Sequence, residues 1–171
     1  MLKQFLFIGL YLIAIVLANI FVGIFGTIAV IPVGFCLVGL DITTRDTLHE
    51  LWKTKRWLKM GLLIAFGSLI SWLLNRDVAQ IALASFVAFT VSAILDTLVY
   101  TKLYKRYYLI KVNGSNLFSS FSDSVLFISI AFGAFMPLLI FEQFMAKFIG
   151  GILWSLLLKK TFIEKSKKVT A

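Results

Sequence analysis

Charge, cysteine, histidine and proline are all scarce in this chain, and each shortage excludes something. Eight acidic and seventeen basic residues among 171 cannot cover in water a chain that is 60% hydrophobic. Its mean hydropathy is +0.96, whereas soluble domains use only ~45–50% apolar residues, so an integral membrane protein is expected. The single cysteine, Cys36, lies in an apolar run and cannot form an intramolecular disulfide. With His49 as the one histidine and no cysteine pair, the usual zinc spacings are missing. His49-Glu50 does not open a zincin motif either, because position 53 is Lys. There is no Gly-rich phosphate loop and no nucleophile elbow, and the Ser, His and Asp residues form no catalytic pattern. Neither an enzyme nor a bound cofactor or metal is expected. The net charge of +9 reports membrane orientation before anything else, so no nucleic-acid partner is expected.

What is present are six apolar segments, near 4–23, 25–44, 57–75, 78–101, 116–140 and 142–162. Each is close to the ~20 residues that a bilayer-spanning helix needs. The expected fold is an all-α membrane protein with six transmembrane helices in a single integral membrane domain over 1–171, ending in a basic cytoplasmic tail over 163–171. The first segment carries Asn19 and lacks a small-residue cleavage site, so it reads as a retained span. Fifteen of the seventeen basic residues fall on one side of this arrangement, Arg76 and Lys147 being the other two. That asymmetry predicts cytoplasmic termini. An even span count places helices 1–3 and 4–6 in opposite senses, and the two prolines, Pro32 and Pro137, then fall in spans 2 and 5. Matching interruptions suggest an inverted 3+3 repeat of the kind found in transporters, although the halves do not align residue by residue.

Polar residues enter the apolar segments at few places. From Leu40 to Glu50, Asp41, Arg45 and His49 recur at i, i+4, i+8 on a helix, with Asp46 and Glu50 on a second row. Such a face is either a solvated helix end or a charge network at the mouth of a substrate cavity. Asp96, Asp123 and Lys147 each lie within apolar sequence. Centring a charge in a bilayer costs at least ~2.5–3.5 kcal/mol, so these side chains should face a bundle interior or a wet cavity. Small and polar residues share their faces: Ala84, Ala88, Ser92 and Asp96; Asn116, Ser120 and Ser124 beside Ser119 and Asp123; Lys147, Gly151 and Ser155. These rows serve either as packing seams or as hydrogen-bonding surfaces.

Several of these stretches resemble the vitamin-uptake-transporter family, also called queuosine-precursor transporters. They are Ala18-Asn19; the run from Gly39 to Trp52 with Asp41, Arg45, Asp46, His49 and Glu50; Ile81 to Ser85 followed by Asp96; Val112 to Asn116; Asp123 to Phe127 with Ala131-Phe132-Gly133; and Lys147 to Trp154. The resemblance covers nearly the whole chain, in order, and is closest to the short members. It implies import of 7-deazaguanine bases, the 7-cyano or 7-aminomethyl compounds, across the cytoplasmic membrane. A guanine-type edge has two adjacent N–H donors, which one carboxylate can accept, and a carbonyl that an amide or ammonium can bind. On that footing Asp123 or Asp96 would take the N–H edge. Asn19, Asn116 or Lys147 would hold the carbonyl, Ser124 would lie beside them, and Trp72 or Trp154 would cover the ring. The Asp41/Arg45/Asp46/His49/Glu50 cluster would be a cytoplasmic gate or structural latch. The expected partners are a small-molecule substrate and the lipid bilayer, with a homo-oligomer left open. The alternatives are the substrate-binding subunit of an energy-coupling-factor vitamin importer, and a non-transporting scaffold or pore protein.

Overall fold

The computed structural model describes residues 2–52, 55–74, 76, 79–103 and 106–158. They form α1 (Leu2–Phe25), α2 (Thr27–Val33), a π-helical turn (Gly34–Val38), α3 (Gly39–Leu51), α4 (Arg56–Leu74), α5 (Ala79–Lys102), α6 (Tyr108–Ala131) and α7 (Pro137–Leu158), with no strand among the described residues. At Gly34 and Gly39 the backbone stays in the right-handed helical region, so α2, the π turn and α3 make one continuous rod, and the described residues form six rods.

Four stretches are long and apolar enough to cross a membrane: Gln4–Phe25, Thr27–Arg45, Ala79–Lys102 and Pro137–Leu158; Leu58–Leu74 is apolar but shorter. The α6 helix falls outside that set for a physical reason. It carries Ser115, Asn116, Ser119, Ser120, Asp123 and Ser124, all buried against other helices. Averaged hydropathy is blind to which way a polar side chain points. The outer surface is the reverse, with Phe5, Ile28, Leu62, Leu138 and Phe141 all exposed. A continuous apolar exterior of this kind suits acyl chains and would be a liability in water. The protein is an all-α membrane protein.

Two boundaries differ from the sequence reading. The segment expected at 116–140 is α6, which starts at Tyr108 and ends at Ala131. Asn113-Gly114-Ser115 thus belongs to the helix, although its composition reads as a connection. Gly133, at φ +65°, then turns the chain, in a conformation glycine adopts without a Cβ clash. Pro137 opens α7, where its missing N–H and fixed φ are well tolerated. Only Pro32 lies inside a helix, so the matched proline interruptions that suggested an inverted repeat are not there. The basic tail over 163–171 lies outside the described residues.

The rods pack in a closed order: α1 on α4 and on α3, α4 on α5, α5 most extensively on α6, α6 on α7, and α7 back on the π turn and α3. Association of helices inside a bilayer gains little from the hydrophobic effect and depends on close packing and interhelical hydrogen bonds. The crossing of α3 on α7 uses glycine for this. A Cβ on Gly39 would sit 2.8 Å from the carbonyl carbon of Gly150, and one on Gly150 would overlap the Phe35 carbonyl oxygen. Thr43 Oγ1 donates across the same crossing to the Gly151 carbonyl at 3.2 Å. This seam brings α7 close enough for Lys147 to reach the bundle interior.

Candidate functional site

Among the described residues, two buried ion pairs occupy the interior. Lys147 Nζ on α7 donates to Asp123 Oδ2 on α6, and the ammonium also lies 5.3 Å from the centre of the Phe127 ring, within cation–π reach. The second pair joins α3 to α5, with Arg45 Nη2 3.8 Å from Asp96 Oδ1. The guanidinium also donates to Ser92 Oγ at 3.3 Å and to Ser119 Oγ at 3.4 Å. Arg45 is therefore held by α5 and α6, across the bundle, as well as by its own helix. Asp41, one turn before Arg45, is 1% exposed, and neither carboxylate oxygen has a hydrogen-bond partner among the described residues. It lies in the electrostatic field of Arg45, Asp123 and Lys147.

Beside Lys147 lies a small cavity of about 10 Å³, room for about one water molecule. Its polar wall consists of Asn19, Ser85, Gln143 and Lys147, and Phe89 and Phe127 supply aromatic wall. Asn19 is engaged at both ends of its amide: Nδ2 donates to Ser71 Oγ at 3.0 Å and Oδ1 accepts from Ser85 Oγ. One amide thereby ties α1 to α4 and α5. Gln143 Oε1 and Asp123 Oδ1, by contrast, are buried without a partner among the described residues. A buried polar atom left unpaired costs about 1–3 kcal/mol, so Gln143 Oε1 in the cavity wall, and Asp123 Oδ1 on the carboxylate that Lys147 binds, mark where donors from a ligand would be stabilised.

The remaining sequence candidates are placed as follows. Asn116 is buried at the α6–α7 contact, accepting from Ser120 Oγ at 2.7 Å, and its amide packs so closely on Gly151 that a Cβ there would overlap it. Ser124 is buried with an unpartnered hydroxyl among the described residues. Trp154 does not line the cavity: its Nε1 donates to the Cys36 carbonyl at 3.0 Å, fastening α7 to the π turn. Trp72 is exposed. The backbones of Asp46, His49 and Glu50 lie in α3, but their side chains lie outside the described residues. The sequence reading overlooked Gln143, Phe89 and Phe127. Gln143 stands four residues before Lys147, and Phe127 four after Asp123, so extending each row by one helical turn finds both.

A ring of helices with an apolar exterior, enclosing paired charges and a polar cavity between aromatic side chains, defines a polytopic membrane transporter. The family model described as "Putative vitamin uptake transporter" matches residues 2–163. The chain belongs to that vitamin uptake transporter family. No curated protein and no solved structure matches it.

Proposed function

We propose that the chain imports guanine-type heteroaromatic bases, specifically the 7-cyano- or 7-aminomethyl-7-deazaguanine precursors of queuosine, across the cytoplasmic membrane. In this reading six rods span the bilayer as one domain with both termini in the cytoplasm, as the distribution of basic residues favours. The observation that carries the substrate class is the unpartnered acceptor Gln143 Oε1 in the cavity wall with Phe89, Phe127 and Lys147, together with the second, unpartnered oxygen of the Asp123 carboxylate that Lys147 binds. A ligand that brings two adjacent N–H donors on a flat ring supplies what these groups lack. Lys147 is the donor for the base carbonyl, since its ammonium has three N–H donors and only one is given to Asp123. Asp96, Asn116, Ser124 and Trp154 keep the helices in place around it. Because the cavity is narrow, entry of a base requires the rods to separate.

The test is binding of a small panel of bases to purified protein, with uptake by cells lacking their own carrier. Loss of the exocyclic amine from the base should weaken binding by about 10- to 100-fold, the worth of a hydrogen bond to a charged or buried acceptor. Equal binding of bases with and without that amine would overturn the reading. Uptake in cells that supply no partner ATPase separates a self-sufficient carrier from a substrate-capture subunit.

A further inference from the structure

Among the described residues Asp41 is the one buried acid that neither ion pair uses. It projects from α3 into the interior, and the groups facing it are Tyr11 on α1, Arg45 on its own helix, Asp123 on α6 and Lys147 on α7. Among the described residues the three buried acids, Asp41, Asp96 and Asp123, outnumber the two buried bases, Arg45 and Lys147. Asp96 and Asp123 are each in an ion pair, which leaves Asp41 as the uncompensated charge, with both oxygens lacking a hydrogen-bond partner among the described residues. An ionised carboxylate so placed is strongly disfavoured in a low-dielectric interior. A metal cation is a poor remedy. It would need several more oxygen ligands, two fixed cations already face the site, and no described cluster of His, Cys, Asp and Glu could hold an ion.

We propose that Asp41 is the proton-carrying site of the transport cycle, loaded from the outer side and emptied to the cytoplasm, so that each base enters with one proton. The chemistry is a simple transfer. A hydronium ion gives its proton to one Asp41 oxygen and leaves as water, and on the inner side water takes the proton back. The neutral acid lets the bundle close around the Lys147–Asp123 pair with no excess buried charge, and its new O–H is itself a donor. The requirement that the proton accompany a base rests on the function proposed above; the proton site itself does not.

Two measurements separate those claims. Infrared difference spectra of the empty wild-type protein across a pH titration should contain the carbonyl stretch of one buried protonated carboxylic acid, and Asp41→Asn should lack it. No substrate is involved, so the absence of that band in the wild type overturns the proposal whatever the protein carries. In proteoliposomes with the membrane potential clamped at zero, an inside-alkaline gradient should concentrate a neutral 7-deazaguanine base by about tenfold per pH unit, because one unit is worth about 1.36 kcal/mol per proton. Asp41→Asn, which mimics the protonated acid in shape, should still exchange labelled for unlabelled base but accumulate none. Gradient-driven accumulation by Asp41→Asn, or base uptake by the wild type that is indifferent to the gradient, overturns the coupling. If the infrared band is present and Asp41-dependent while no base of the panel binds, the proton site stands and the substrate assignment falls.

Discussion

Lys147 and Asp123, on neighbouring helices, form an ion pair closed to solvent on both sides, while the second oxygen of Asp123 has no hydrogen-bond partner among the described residues. The pair is complete as a charge and incomplete as a set of hydrogen bonds. This is what lets it serve both as a structural tie between α6 and α7 and as a place for a ligand's donor.

Removing one partner strands the other. Lys147→Met should destabilise the protein by about 3–5 kcal/mol, as expected when a buried ion is left uncompensated. The double variant Lys147→Met/Asp123→Leu should recover at least half of that, since it removes both charges. Thermal unfolding in detergent reads both values. If the two single losses simply add in the double variant, the residues are not coupled.

Arg45 and Lys55 offer a sharper contrast than their shared charge suggests. Arg45 is buried and held by Asp96, Ser92 and Ser119, whereas Lys55 is exposed at the turn before α4. Arg45→Ala should cost about 3 kcal/mol or more and reduce folded yield. Lys55→Ala should stay within about 0.5 kcal/mol, as for an ordinary surface change. Equal, mild effects would return the α3 polar face to plain solvated charge.

Gly150 and Gly61 carry the same substitution to opposite ends. A methyl at Gly150 meets the Phe35 backbone oxygen, which cannot step aside, while at Gly61 it meets nothing within 4 Å. Gly150→Ala should lower the melting temperature and the yield. Gly61→Ala should be neutral or gain up to about 0.5–1 kcal/mol from helix propensity. A stable Gly150→Ala protein would mean that α3 and α7 do not cross as closely as described.

Orientation can be read by thiol labelling. Cys36 is removed first as Cys36→Ser, and single cysteines are placed at two exposed positions, Arg76→Cys before α5 and Lys102→Cys at its end. A membrane-impermeant maleimide should label position 76 in intact cells and position 102 only after lysis. The reverse pattern would turn the protein over in the membrane and place its termini outside.

Much of the architecture was legible in the sequence because the bilayer imposes a simple rule: an apolar run of the right length is a helix. The rule fails where polar residues line an interior. The α6 helix starts at Tyr108, yet Lys111 to Ser115 reads as a loop, and the span boundary slips toward the next apolar run and takes Pro137 with it. Depth in the sequence correctly singled out Asp96, Asp123 and Lys147 as residues needing an explanation. It could not say how they pair, because Asp123–Lys147 and Arg45–Asp96 are decided by which helices touch. The four-residue row through Asp41, Arg45 and His49 suggested pairing along one helix. Arg45 lies in the field of Asp41 on its own helix and also reaches across to α5 and α6, where Asp96, Ser92 and Ser119 hold the guanidinium.

The π turn at Gly34–Val38 closes with a hydrogen bond from the Gly39 N–H to the Gly34 carbonyl, one residue wider than an α-helical bond. Every extra residue wound into a helix rotates all that follows by about 100°. The inward aim of Asp41 and Arg45 is therefore set several residues upstream, by a local widening that touches neither of them. Winding the same five residues as an ordinary α-helix, with none deleted, would swing the acid and the guanidinium toward the acyl chains, disarming the interior without altering one of its side chains.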